Sequence, residues 1–312
     1  MRILRVRHLT RYRYAKPVRF GEHRLMLRPR DDADQKVTLE RLVITPQPLE
    51  LNFIRDGLGN WVGLARFDGA ADELCFESDI QLVRPPAASL IGPQSEPWTI
   101  GTPVLDSPSA ALDADGGVAR WALGFLQGGD AQPGLEVLAA MAGAIHDGFS
   151  YRRRLEHGVQ PPWRTLALRS GACRDFAMLM IAGARALGLQ ARFASGYVHS
   201  PDRFDRQGRA GGGHTHAWAS ICTPERGWTD FDPTSGAVGA DELIRVAVAD
   251  DPVQAIPIQG VYFGGPDDFL GMDVQVEVEV EVEMDLEPQA SSANCAVRSE
   301  PQPNQGVGWN TA

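Results

Sequence analysis

The sequence predicts an α+β protein in two parts, a β-sandwich-like amino-terminal domain and a core in which a cysteine-bearing helix packs on an antiparallel sheet carrying histidine and aspartate. Three observations lead to this division. Turn signals recur about every 10 residues through the first 85 residues, as in an all-β sandwich or meander. Apolar residues recur at helical spacing in three stretches between 118 and 187. Strand-like alternation returns after residue 191 and closes on a long valine and glutamate repeat.

The elements follow in order. In the first thirty residues Leu4, Val6, Tyr12 and Tyr14 share one parity while most of the arginines take the other, the pattern of a half-buried strand with a solvated face rather than a basic recognition arm. Pro17, Pro29 to Asp32, Pro46 to Pro48 and Asp56 to Asn60 punctuate the strands of the domain over residues 1–85. Residues 86–117, rich in Pro, Ala, Ser, Gly and Asp, read as a linker or crossing segment. The core is expected over 118–287. It opens with helices at about 118–127 (Val118, Trp121, Phe125) and 134–148 (Leu135, Leu138, Met141, Ile145).

A third helix, 173–187, is announced by Ser170-Gly171, carries Asp175 in its first turn and stops at Gly188. Strands are expected at 191–199, 217–223 and 228–232, interrupted by a polar loop at 200–213 that reads as a solvated connector. From Val274 to Met284 valines alternate with glutamates, which predicts a long strand with one wet face. Residues 288–312 are too poor in apolar side chains to repay ordering and read as a loose tail.

Composition narrows the function. The 312-residue chain is 43% hydrophobic and 22% charged, with a net charge of −10, which disfavours nucleic acid and anionic membrane surfaces as partners because both need a positive footprint. No stretch reaches the roughly 20 apolar residues of a membrane span and no secretory core is visible, so the expected location is the cytoplasm. Four cysteines, Cys75, Cys173, Cys222 and Cys295, form no CxxC pair, and Cys75 and Cys222 read as small buried hydrophobes. No cofactor is expected, and the partner is a protein or peptide substrate.

Cys173 lies where a helix begins, where unpaired N–H groups and the helix dipole favour a thiolate and can also donate to an oxyanion. A thiolate mechanism needs a histidine to move protons and a third group to hold the imidazole. If Pro224 to Gly227 forms part of a hairpin turn, His216 stands opposite Asp232, near enough for a carboxylate to hold a ring N–H. A register shifted by two offers Asp230 instead. Two alternatives stand beside this. His214 and His216, at i and i+2, would ligate zinc with Asp232 or Cys173 were both on the strand, but Gly211 to Gly213 place His214 in the loop. A non-catalytic interaction protein is the other. Arg152-Arg153-Arg154 reads as a solvated face rather than a clamp for acidic substrates.

The blocks Gly171-Ala172-Cys173-Arg174-Asp175-Phe176-Ala177, Ala191 to Tyr197, His216-Ala217-Trp218, Gly227-Trp228 and Phe231-Asp232-Pro233-Thr234 closely resemble the bacterial transglutaminase-like family. His8-Leu9-Thr10, Leu27 to Arg30 and Gly59-Asn60 resemble its β-rich amino-terminal domain, and Gly260 to Gly265 with the valine strand resemble its carboxyl-terminal stretch. The resemblance implies a papain-like core and a Cys-His-Asp triad of Cys173, His216 and Asp232, which decides against Asp230. It also implies attack on peptide or glutaminyl amides through an acyl-thioester. Hydrolysis, as in a peptidase or amidase, is favoured over crosslinking, since no second amine site and no calcium loop is visible. The chain departs from the family at Met178, where many relatives have histidine, and at Gln160-Pro161-Pro162-Trp163, which leaves Gln160 and Trp163 both open as side-chain oxyanion donors.

Overall fold

The alternation of the first twenty residues becomes one 19-residue strand, β1 (Arg2–Phe20), followed by β2 (His23–Leu25), β3 (Lys36–Thr45), β4 (Glu50–Arg55), β5 (Trp61–Arg66) and β6 (Ala70–Arg84). The structure is a computed structural model that describes residues 1–85, 116–126, 133–154, 156–199, 214–239 and 241–283. Most of the linker, the 200–213 loop, Cys295 and the tail therefore lie outside the described residues.

Two sheets make the amino-terminal half, with three strands from the carboxyl-terminal end, β14 (Ile258–Gln259), β15 (Tyr262–Phe263) and β16 (Phe269–Glu283): one is ordered β15-β1-β6-β3 with β16 also on β1, the other β14-β2-β5-β4. Their facing side chains share a core: Tyr14, Val18, Phe20, Ile44, Leu74 and Phe76 from the first sheet meet Leu25 and Ala65 from the second. This is the sandwich that regular turn spacing implied.

The three expected helices form as α1 (Gly117–Leu123), α2 (Leu135–Gly148) and α4 (Cys173–Ala186). The sequence reading missed α3 (Pro162–Leu168), a short helix whose Pro162 supplies the pre-set φ of a first helical position. It sits between two two-residue strands, β7 (Ser150–Tyr151) and β8 (Ser170–Gly171), which pair in parallel. Among the described residues no helix is long and apolar enough to cross a membrane.

α4 is buried on almost every side, from Asp175 through Ile181, because the other helices cover one flank and a five-stranded sheet the other. That sheet runs β12-β11-β10-β9-β13, from β9 (Ala191–Val198), β10 (His214–Thr223), β11 (Gly227–Asp232), β12 (Ala237–Val238) and β13 (Leu243–Ala249). Ala217, Ala219 and Ile221 of β10 enter the main core with α4, together with Leu4, Val6, Ile80 and Leu82 of the amino-terminal sheet. The two halves thus share one apolar core.

The carboxyl-terminal strands β14, β15 and β16 do not join the sheet of β9 to β13. A core extending to residue 287 would contain them; their hydrogen bonds run instead to β2 and β1, with β16 antiparallel to β1 from Arg2↔Glu283 to Tyr14↔Phe269. The register explains the preference. It sets Arg5 opposite Glu279, Arg7 opposite Glu277 and Arg11 opposite Asp273, so the wet faces of the two strands carry opposite charge.

Candidate active site

Cys173 is the first residue of α4, and Ala172 before it is extended. The start of the helix is fixed by Asp175, which is fully buried. Its Oδ2 accepts from the Ala172 N–H at 2.9 Å, and its Oδ1 accepts from the Gln160 N–H and from Arg154 Nη1, both at 2.7 Å. A carboxylate folded back onto the cap backbone is one half of a capping box, and here it also ties the helix to the segment before it. Gly171 is required by this closeness: a Cβ there would stand 2.8 Å from the Cβ of Asp175.

His216 lies on β10 and Asp232 ends β11. The expected register, 216 facing 232, is corrected by two residues: the ladder runs from Thr223↔Gly227 to Ala219↔Phe231 and sets Ser220 opposite Asp230. A shift of two keeps side chains on the same face, so Asp232 meets His216 diagonally rather than directly. His216 Nε2 stands 3.0 Å from Asp232 Oδ1, an ion-pair distance with the N–H turned off the line to the oxygen. Asp230 is engaged elsewhere, by Arg245 Nη2 at 2.5 Å.

The His216 imidazole and the backbone N–H of Ala217 both act on the Cys173 sulfur, and each favours its thiolate. This contact forms beyond the last β10–β11 rung. With Nε2 turned to Asp232, Nδ1 is the ring nitrogen left for sulfur. Gly196, the β9 partner of His216, must be glycine because a Cβ would overlap the carbonyl of Ile244 on β13.

Burial acts against every charge in this cluster, and the neighbours outweigh it. Desolvation alone would raise the Cys173 thiol; the bond to His216, its positive charge and the Ala217 N–H bring it below its ordinary value. Desolvation alone would lower His216, yet Asp232 and the sulfur raise it to about 10. Desolvation of Asp232 is likewise overcome by His216, the Ser235 hydroxyl and the Thr234 N–H, which hold its carboxyl well below the carboxylate range. The favoured state is a thiolate beside an imidazolium.

Several participants were not visible in the sequence. Ser235 Oγ donates to Asp232 Oδ2 at 2.6 Å and the Thr234 N–H to Oδ1 at 2.9 Å. The Asp-Pro-Thr-Ser run was a signal for this, since such residues after an aspartate commonly bond back to it. Trp218 lies within the sheet, its ring near parallel to His216 at 6.2 Å. Tyr151 stands beside Cys173, where burial and the cysteine's charge push its phenol up to about 12.

Other expectations resolve as follows. Gln160 Nε2 is turned to the Ser170 carbonyl at 2.9 Å and Thr165 Oγ1 at 3.4 Å, while Trp163 on α3 is 46% exposed. Met178 is core. Cys75 and Cys222 are buried. His214 is the first residue of β10, paired with Val198, and so is strand rather than loop; among the described residues no group of His, Cys, Asp and Glu has the form of a metal site. Arg154 of the arginine run does not sit on a solvated face but pairs with buried Asp175.

Residues 4–82 match the model of the bacterial transglutaminase-like N-terminal region and residues 119–233 that of the transglutaminase-like superfamily. Uncharacterized proteins of Mycobacterium tuberculosis and Mycobacterium bovis are 33% identical to the chain over 282 residues, spanning 83% of it and 87% of their own length. A candidate cysteine protease from Cytophaga hutchinsonii has the same fold, with a TM-score of 0.65 at 19% identity over 92% of this chain and 93% of that one. The chain therefore belongs to the transglutaminase-like superfamily, with the bacterial amino-terminal region, and is at that level a cysteine-dependent enzyme.

Proposed function

We propose that the protein is a peptidase or amidase in which Cys173 is the nucleophile, His216 the proton carrier and Asp232 the residue that orients the imidazole. The observation that carries this is the His216 imidazole set between the Cys173 sulfur, on which it acts, and the Asp232 carboxylate 3.0 Å away, at the amino end of a buried helix. The thiolate adds to the carbonyl carbon of a peptide or glutaminyl amide, and the carbonyl electrons move to oxygen. The amide of Cys173, which like all first-turn N–H groups has no intrahelical acceptor, is the donor best placed for that oxyanion. Gln160 is a weaker choice because its side-chain amide already serves Ser170 and Thr165.

Collapse of the adduct expels the amine with a proton from His216 and leaves an acyl-thioester. Water then gives a proton to His216, attacks the thioester and releases the acid, restoring the thiolate and imidazolium. An acceptor amine in place of water would give transglutamination through the same residues; hydrolysis is preferred because no second amine site is evident beside Cys173 among the described residues. The test is alkylation of each cysteine across pH, read by peptide mass spectrometry. Cys173 should react well below pH 8 and lose that advantage in His216→Ala, while Cys75, whose thiol burial pushes up, stays slow. Equal reactivity of the cysteines would defeat the proposal. Peptide amides with and without added amine separate hydrolysis from transfer.

A further inference from the structure

Strand β7 runs parallel to β8 immediately before the nucleophile. Ser150 pairs with Ser170 and Tyr151 with Gly171, through the Ser150 N–H to the Arg169 carbonyl and the Arg152 N–H to the Gly171 carbonyl, each 2.8 Å. Because the chains run in the same direction, Arg152 and Arg153 follow the last pair on one strand as Ala172 and Cys173 follow it on the other. Tyr151 is 43% exposed and its ring meets Phe176, in the first turn of α4, edge-on at 6.4 Å.

The charges here differ from those of β1. Arg5, Arg7, Arg11 and Arg13 of β1 each meet a carboxylate, and Arg154 meets Asp175. Arg152 and Arg153 are exposed, and no ion pair joins either to another described residue. Arg174, one residue past the nucleophile, bonds only to carbonyl oxygens of Arg154, Glu156 and Gly158, which leave its charge uncancelled. On a chain of net charge −10, these cations, close to Cys173 in the fold, have no carboxylate partner among the described residues. Arg153 and Arg174 both act electrostatically on the Tyr151 phenol, so these groups face a common space, where the phenol stays protonated at neutral pH and can donate to an anion.

We propose that Tyr151, Arg152 and Arg153 form a carboxylate-binding lip beside Cys173, so that preferred substrates are acidic peptides bearing a carboxylate close to the amide under attack. This rests on Cys173 being the nucleophile. Arginine and a neutral phenol together suit a carboxylate, the first through charge and paired N–H donors, the second through one directed O–H.

The test compares alkylation of Cys173 in the full chain by iodoacetate, which carries a carboxylate, and by uncharged iodoacetamide. In Arg152→Gln/Arg153→Gln the ratio of the two rates should fall roughly three- to tenfold at low salt, with the iodoacetamide rate almost unchanged. The difference should largely vanish at 1 M salt, where the screening length is about 3 Å. Any attraction from the His216 imidazolium is common to both proteins and cancels. A ratio unchanged by the double substitution, with Cys173 still fast toward iodoacetamide, overturns the lip and leaves the nucleophile standing. A Cys173 slow toward both reagents in the unmodified protein overturns the nucleophile, and the lip with it. Equal cleavage by the unmodified enzyme of peptide amides flanked by Glu and by Gln also overturns the lip.

Discussion

Asp232 receives the Thr234 N–H on one oxygen and the Ser235 hydroxyl on the other, while His216 approaches the first. Those bonds fix where the carboxylate points and hence which imidazole nitrogen faces sulfur. Asp232→Asn keeps the volume but removes the charge and offers an amide donor that can select the wrong tautomer. We expect peptide amide hydrolysis to fall about 10³- to 10⁴-fold in kcat, by analogy with the orienting aspartate of serine proteases. Ser235→Ala removes one supporting bond and should cost about tenfold in kcat with little change in KM, read by steady-state kinetics on one substrate. A KM effect as large as the kcat effect would place Ser235 in substrate binding instead.

The start of α4 is an element-scale device. One buried carboxylate, Asp175, joins the cap backbone, the Gln160 amide and Arg154. Asp175→Ala would leave a partly buried arginine and two backbone donors unmatched, for which breaking a buried pair suggests a loss of about 3–5 kcal/mol. Urea denaturation would measure this, and a loss below about 1 kcal/mol would mean that water replaces the carboxylate freely. Asp175→Asn, which retains an acceptor oxygen, should lose less. The same carboxylate ties Arg154, three residues past β7, to the start of α4.

Across the whole molecule the halves are held by polar contacts as well as by the shared core. Asn60 brackets Val248, accepting from its N–H at 2.9 Å and donating to its carbonyl at 2.7 Å, and Arg245 reaches both Asp32 and Asp34. Leu58 packs on the cluster containing Trp218, whose ring lies near parallel to that of His216, so the amino-terminal domain contributes to the wall behind His216. His8 of β1 lies 2.9 Å from the Tyr197 hydroxyl and 2.7 Å from Thr10 Oγ1. Since Tyr197 donates to the Leu27 carbonyl, it accepts from His8 Nδ1, which leaves Nε2 to accept from Thr10.

A neutral His8 is what this network needs, and burial holds its pKa down to about 4, against an ordinary value of 6.5. Between those values the unfolded chain binds the proton and the folded one does not. Stability should therefore fall as pH drops through that window, by up to about 3 kcal/mol, and the contribution is whole above pH 6.5. His216 acts in the opposite sense: its retained proton favours folding most below pH 6.5 and is lost as pH rises toward about 10. Urea midpoints at pH 7 and 4.5 should separate more in the unmodified protein than in His8→Gln. Equal separations would show that His8 does not titrate in this range.

Local pattern was enough to read much of this protein. The β1 alternation, the three amphipathic helices, the valine and glutamate strand and the placement of Cys173 at a helix start all depend on neighbours within a few residues, and His216 and Asp232 were legible from strand parity and motif. Tertiary structure decided the rest. Parity is unchanged by a register shift of two, so the sequence named the residues that share a face but not that His216 meets Asp232 diagonally. The alternation of β16 required some wet-faced partner; that the partner is β1, more than 260 residues earlier at Arg2↔Glu283, follows from charge matching across strands that only the assembled fold brings together. The use of Arg154 by Asp175, and the exposure of Arg152 and Arg153, are likewise matters of which surfaces meet, because three adjacent arginines are alike until packing gives one of them a buried carboxylate.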